Sequence, residues 1–311
     1  MPGSNDYVIG VDIGGSHIAC CAVEPGVGNI IGERVVDVAV DSKAGKSEIF
    51  AAWSQAIRAV VADRGDTSPA GIGFAMPGPF DYQTGIASFS GNDKYESLHG
   101  VNVAGEFAAS LGLAAPLRFI NDATAFAVGS AWRGAGQAYE RLIAVTLGTG
   151  FGSAFIDNGL PVVSGDEVPE HGCVWHLPFK ESIADDYIST RWVSGQYAER
   201  MGDRIDGVKG IAEQARNDAE IRAIFEEFGN NLGEILGPWI DRFDAQALIF
   251  GGNVAGAMDL FGPALRDSLA ARESSAVAEV CPLQDRAALV GAARLFDDAF
   301  WQNVKDDLPR A

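Results

Sequence analysis

Residues 7–23 read YVIGVDIGGSHIACCAV, an apolar run, the pair Gly14-Gly15, and a second apolar run. Tyr7 to Ile13 is short and rich in Val and Ile, which reads as a strand. The glycine pair reads as a tight turn, and His17 to Val23 as a second strand. A similar order of elements, in different residues, returns at residues 141–157, RLIAVTLGTGFGSAFID. There the strand Arg141 to Leu147, the turn Gly148-Thr149-Gly150 and the strand Gly152 to Ile156 follow one another. Neither turn is a dinucleotide fingerprint, because a strand follows where that motif opens a helix. Neither is a Walker loop, because no GxxxxGK[ST] is present.

Outward from the first repeat, Pro25 to Asn29 is turn-like and Ile30 to Val40 reads as a third strand. Ser47 to Arg64 carries Ile49, Phe50, Trp53, Ile57, Val60 and Val61 at helical spacing. Gly71 to Met76 is a buried strand stopped by Pro77-Gly78-Pro79. Val103 to Leu111 and Asp122 to Trp132 read as helices, with a strand at Leu117 to Ile120 between them. After the second repeat, Asp157-Asn158-Gly159 is a hairpin turn and Leu160 to Val163 a third strand. Helices follow over Ile183 to Arg200, Gly210 to Ala215 and Ala219 to Phe243. A buried strand, Ala247 to Phe250, ends in Gly251-Gly252, and helices near Ala257 to Ala271 and Arg286 to Phe300 close the chain. Each half thus opens strand, glycine turn, strand, turn, strand. This predicts an α/β fold of two similar domains with a cleft between them.

The chain has 311 residues, 47% hydrophobic and 21% charged, enough to build a core without disulfides or a structural metal. With 23 basic against 42 acidic residues its net charge is −19, which argues against a nucleic-acid grip or binding to anionic membrane. No apolar run reaches the ~18 residues of a membrane span. Cys20, Cys21, Cys173 and Cys281 form no CxxC pair and predict no disulfide framework. The start MPGSNDYVIGVDIGG lacks the basic and apolar regions of a signal peptide, so a cytoplasmic protein is expected.

Several short motifs carry chemistry. Gly14 and Gly15 let backbone amides approach phosphate oxygens as an anion nest; Ser16 adds a hydroxyl, and Asp12 can hold hydrated magnesium. The alternative is a plain hairpin turn. Gly148-Thr149-Gly150 repeats the pattern, and two such turns in equivalent places suit the two ends of a polyphosphate. Asn121-Asp122 follows a strand and opens a helix, where a carboxylate faces the crevice of an α/β fold. Asp122 there is either a general base taking a proton from an attacking hydroxyl or only a helix cap. Gly73-Phe74-Ala75-Met76-Pro77-Gly78-Pro79 is a strand and rigid turn. Asn92 and Asp93, in a polar loop, suit sugar hydroxyls or water. Glu167 to His176 gathers two carboxylates, two histidines and one thiol. With a single sulfur and no tetrahedral spacing this favours a polar ligand over zinc.

Taken together, the order DIGGS, GFAMPGP, ND, TLGTGFG and FGGN, over about residues 8–253, resembles the ROK family of repressors, uncharacterised proteins and sugar kinases. The resemblance implies two ribonuclease-H-like, actin-like ATPase domains. They would span residues 1–120, rejoined by a C-terminal helix at about 287–311, and residues 121–286. It implies an ATP-dependent sugar kinase acting on a hexose hydroxyl at carbon 6, with ATP and magnesium and with Asp122 as base. It matches Asp12, Gly14, Gly15, Ser16 and His17 to the first phosphate loop. Gly148, Thr149 and Gly150 match the second, and Gly251 and Gly252 the turn near adenosine. Asn92, Asp93, Asn121, Glu170 and His176 fall on the sugar side. A homodimer is the family expectation, and polyphosphate stands beside ATP as donor.

Three departures from the family pattern stand out. Cys173 takes the place of the histidine in the usual Glu-x-Gly-His, leaving His171 or His176 to replace it. The family's CxCGxxGC zinc segment is missing, so no structural zinc is expected. His17 stands where smaller or polar residues are usual. The alternative reading is a sugar sensor without catalysis. The family's repressors carry an N-terminal DNA-binding domain, whereas here Tyr7 already begins the first strand.

Overall fold

The computed structural model describes residues 6–91, 94–205 and 207–309. Strands β1 (Val8–Ile13) and β2 (His17–Val23) form the first hairpin, followed by β3 (Val36–Ala39), helix α1 (Lys46–Asp63) and β4 (Gly71–Met76). The small pair β5 (Phe80–Asp81) and β6 (Ile86–Ala87) precedes α2 (Val103–Leu111), β7 (Leu117–Asn121) and α3 (Asp122–Arg133). The second half opens with β8 (Arg141–Leu147), β9 (Phe151–Asp157) and β10 (Leu160–Val162), then β11 (Pro178–Phe179) and β12 (Ser182–Ile183). Helices α4 (Ala184–Tyr187), α5 (Thr190–Met201), α6 (Val208–Ala215) and α7 (Ala219–Phe243) lead to β13 (Ala247–Gly251), α8 (Met258–Ala271) and β14 (Val277–Val280). Helices α9 (Arg286–Arg294) and α10 (Asp298–Val304) end the chain.

The chain divides into two compact units. One is Met1–Arg133 with Arg286–Ala311, the other Gly134–Asp285. Their sheets have the same topology, β3-β2-β1-β4-β7 in the first and β10-β9-β8-β13-β14 in the second. In each, the first three strands are antiparallel and the last two pair parallel to the first. The repeat read from the two glycine turns therefore extends through whole sheets.

In the first unit the sheet carries helices on both faces, because side chains alternate along each strand. On β4, Ile72 and Phe74 point one way, where Phe74 stacks with Phe107 of α2 and with Phe119. Gly71 and Gly73 point the other way, where a Cβ would run into Phe296 and into the Ala292 carbonyl. Gly10 of β1 is closed off in the same manner by the Leu289 carbonyl. Missing side chains thus make the slot in which α9 lies. Helices α3 and α9 meet through Gly129, facing the Ala287 carbonyl, and Gly291, facing the Ala125 carbonyl. In the second unit β8, β13 and α5 to α8 share one apolar core.

Several local readings change. The expected strand from Ile30 to Val40 shrinks to β3, because Gly32 and Glu33 both adopt left-handed backbone and turn the chain. The helix expected over Ile183 to Arg200 is two, α4 and α5. Ser189 between them is extended and caps α5 by accepting the Trp192 amide. The last expected helix also breaks, and Asp297 caps α10 by accepting from the Phe300 amide at 3.0 Å. Among the described residues no helix is long and apolar enough to cross a membrane.

Candidate functional site

Parallel pairing in register sets the candidate site of the first unit. Asp12 stands beside Ala75, Ala75 beside Ile120, and Met76 beside Asn121. The carboxyl ends of β1, β4 and β7 therefore lie level, and Asp12 and Asn121-Asp122 come to one edge, where α/β sheets hold ligands.

The cap of α3 is Asn121, not Asp122. Asn121 Oδ1 accepts the Thr124 amide at 3.1 Å and the Thr124 hydroxyl at 3.3 Å. Its Nδ2 donates to Asp122 Oδ1 at 2.9 Å and to Tyr82 Oη at 3.3 Å, and Tyr82 in turn donates to the Met76 carbonyl at 3.1 Å. Asp122 Oδ1 also accepts the Ala123 amide at 2.8 Å. Oδ1 thus takes both hydrogen bonds that the carboxyl receives from other described residues, and the Asp122 amide bonds the carboxyl of its own residue. Burial pushes the Asp122 carboxyl above the ordinary carboxylate range. The Ala123 amide, the Lys94 charge and the Asn121 amide pull it back only in part. A carboxylate held on one oxygen by its neighbours, with its proton affinity raised, has the makings of a general base.

The first glycine turn lies at the same edge. Gly14 N donates to the His17 carbonyl at 3.0 Å and closes the hairpin. The Gly14 carbonyl accepts Tyr95 Oη at 2.6 Å. Tyr95 is fully buried against Trp53 and Phe89, and burial raises its phenol strongly. Its residue adopts a left-handed backbone, φ 56°. That conformation delivers the preceding Lys94 over the turn, so that a Cβ on Gly15 would lie 2.8 Å from Lys94 Cε and 2.9 Å from Nζ. Here glycine is required by close approach rather than by backbone angle. The amides of Gly15 and Ser16 donate to no described residue. Ser16 Oγ lies 3.5 Å from His17 Nδ1. Asn92 and Asp93 lie outside the described residues.

The second unit repeats the arrangement with different partners. The Gly148 carbonyl accepts the Thr190 amide at 2.9 Å, and the Gly148 amide donates to the Gly150 carbonyl at 3.1 Å. Asp185 Oδ1 accepts the Phe151 amide at 2.6 Å, and its Oδ2 pairs with Arg191 at 2.5 Å. The amides of Thr149 and Gly150 donate to no described residue. Gly251 stands beside Thr146 in the parallel register. Gly252 has φ 81°, and a Cβ there would meet the Leu147 carbonyl at 2.5 Å, so angle and space both demand glycine. The second turn and the Gly251-Gly252 pair are neighbours at one strand edge.

Glu170, His171, Cys173 and His176 share one short segment of this unit. Glu170 and His171 are exposed and 3.8 Å apart. Cys173 Sγ lies 3.8 Å from the Glu170 carbonyl and 3.7 Å from His176 Nδ1. Burial lifts the Cys173 thiol to about 11 and lowers the half-buried His176 imidazole below its ordinary value. His176 thus occupies the same turn as Cys173. Among the described residues no group of three or more His, Cys, Asp or Glu side chains is placed to hold a metal ion.

Tyr82, Lys94, Tyr95, Asp185 and Arg191 are missed by sequence reading. Each is a single residue whose role comes from a tertiary contact, with no spacing to mark it.

The ROK family profile matches residues 8–299. The glucokinase of Thermotoga maritima is 27% identical over 279 residues, covering 82% of this chain and 85% of the relative. The N-acetyl-D-glucosamine kinase of Haemophilus influenzae is 25% identical over 273 residues, covering 79% and 84%. A ROK family glucokinase from Streptomyces griseus, crystallised in complex with glucose and AMPPNP, matches with a TM-score of 0.73 at 26% identity. That match covers 93% of this chain and 98% of the other. The repeated strand order and this likeness give each unit the ribonuclease-H-like architecture of actin-like ATPases.

Proposed function

The chain belongs to the ROK family and is a carbohydrate kinase within it, and from that premise we propose that it transfers the γ-phosphoryl group of ATP to the C6 hydroxyl of a hexose or N-acetylhexosamine, with Asp122 as general base. The observation that carries this reading is the state of Asp122. Its helix is capped by Asn121, one carboxylate oxygen takes both hydrogen bonds from other described residues, and burial raises its proton affinity. The hydroxyl proton passes to Asp122 as the sugar oxygen attacks phosphorus. Asn121, Asn92, Asp93, Glu170 and His176 are assigned to the sugar.

The open amides of Gly15 and Ser16, with Gly14 and His17, are assigned to phosphate, as are Gly148, Thr149 and Gly150. Gly251 and Gly252 are assigned to the nucleoside. Amides already aimed at phosphate need no reorganisation when charge develops. Asp12 fits a magnesium ion: a half-exposed carboxylate at a strand end suits a cation that keeps most of its water and takes other ligands from phosphate. When bound, that ion supplies neutralising charge to the phosphates.

The test is sugar-dependent ADP release with Mg-ATP across hexoses and N-acetylhexosamines, run beside Asp122→Asn. Turnover on one sugar, lost in the variant, supports the assignment. Sugar or ATP binding with no turnover on any sugar would overturn it in favour of a sensor.

A further inference from the structure

Lys94 places a positive charge at the first glycine turn. It is half-buried, pairs with no carboxylate among the described residues, and lies over the Gly14-Gly15 turn. Its position is not left to a free loop. The next residue, Tyr95, is anchored by its hydroxyl on the Gly14 carbonyl and by its ring against Trp53 and Phe89. Its ammonium lies 2.9 Å from where a Cβ on Gly15 would stand, and the Gly15 and Ser16 amides of that turn have no acceptor among the described residues. Three N–H donors of the lysine thus stand against a turn that offers two more from its backbone, within electrostatic reach of Asp122.

We propose that Lys94 binds the phosphoryl group in transit, its ammonium and the Gly15 and Ser16 amides together holding the oxygens of the group that the sugar hydroxyl attacks. The proposal rests on the kinase reading above. Phosphoryl transfer loads negative charge on the three equatorial oxygens of the moving group, and fixed positive charge beside them lowers the barrier. Lys94 also acts on the base. Its charge holds the Asp122 carboxyl lower than burial alone would set it. One side chain therefore links the turn that receives phosphate with the carboxylate that receives the proton. The reaction balances without a further reactant: the sugar O–P bond forms, the bond to the ADP oxygen breaks, and Asp122 takes the hydroxyl proton.

The experiment compares wild type with Lys94→Met and Lys94→Arg. Melting temperatures come first, and all three should agree within a few degrees, since Lys94 makes no hydrogen bond or ion pair with a described residue. Lys94→Met is expected to lower kcat by about 10²–10³-fold, the scale of losing one transition-state donor. KM for the sugar should move less than threefold, and Lys94→Arg should recover part of kcat. Calorimetry with AMPPNP and ADP adds a readout that needs no turnover: Lys94→Met should weaken AMPPNP at least tenfold and ADP much less. A Lys94→Met enzyme within threefold of wild-type kcat, or with unchanged preference for AMPPNP over ADP, would overturn the proposal. If wild type phosphorylates no sugar, the kinase reading fails by itself, and the nucleotide comparison still decides whether Lys94 meets the terminal phosphate. Wild type that binds neither nucleotide would sink both.

Discussion

Asn121 serves Asp122 from the adjoining position: its amide oxygen takes over the cap of α3 while its amide nitrogen, 2.9 Å away, fixes one carboxylate oxygen of Asp122. Asn121 takes the Thr124 amide, and Asp122 takes the Ala123 amide on the same oxygen that Asn121 holds, so the hydrogen bonds from neighbouring residues gather on one side of the carboxylate.

This division of labour predicts a split between activity and stability in Asp122→Asn. Burial raises the Asp122 carboxyl, so the folded chain holds that proton more tightly than the unfolded chain. The stabilisation is fully present below the ordinary carboxylate pKa and is lost as pH rises through the raised value, leaving a buried charge that opposes folding. Asp122→Asn should therefore melt at or above the wild-type temperature at pH 7.5, with the difference shrinking toward pH 4. Its kcat should fall about 10²–10⁴-fold. A variant melting well below wild type at pH 7.5 would contradict the account.

Much of this site can be read in the chain before folding. The β1–β2 and β8–β9 hairpins are legible because glycines interrupt runs of Val and Ile, and α7 because its apolar period persists. Ser189 and residues 295–297 are not, because the apolar spacing continues across breaks that only side-chain capping reveals. Lys94 was invisible for another reason. A single base in a polar loop gains meaning only once Tyr95 pins the loop on Gly14. The return of residues 286–311 to the first unit is a tertiary fact with no local signature. The resemblance to a family, not spacing, suggests it.

His176 should impose an acid limit on stability. Burial lowers its imidazole below the ordinary 6.5, with Glu170 opposing and His171 reinforcing the shift. Its contribution is complete above pH 6.5 and is lost as pH falls through the lowered value. Melting temperature followed from pH 7.5 to 5 should decline less steeply in His176→Gln than in wild type. Parallel curves would remove His176 from the explanation.

The contact between α3 and α9 should tolerate no methyl group. Gly291→Ala drives a Cβ into the Ala125 carbonyl and is expected to cost about 3 kcal/mol, roughly 6–12 °C in melting temperature. Gly195, inside α5 with nothing within 4 Å of a Cβ, is the contrast. Gly195→Ala should raise stability by about 0.5–1 kcal/mol. Similar melting temperatures for the two variants would refute the packing argument.

Cys173 should be a slow thiol. Raised to about 11 from 9.0, it holds about 100-fold less thiolate at neutral pH than an ordinary cysteine. Iodoacetamide at pH 7.5, read by mass spectrometry, should label it far more slowly than a free thiol in the same tube. Rapid labelling would show that the burial of its sulfur is not maintained.

The slot lined by Gly10, Gly71 and Gly73 has a consequence for synthesis. The second unit is one unbroken stretch of chain, while the first waits for α9, which is translated after the whole of the second unit. Until then the apolar face of Val8, Cys21 and Val23 that Leu289 and Ala293 cover stands open. On the ribosome the second unit can therefore mature ahead of the first, although the first begins the chain. A ribosome that stops short of Arg286 releases a polypeptide whose amino-terminal sheet is bare on one side, a form that chaperones and proteases recognise.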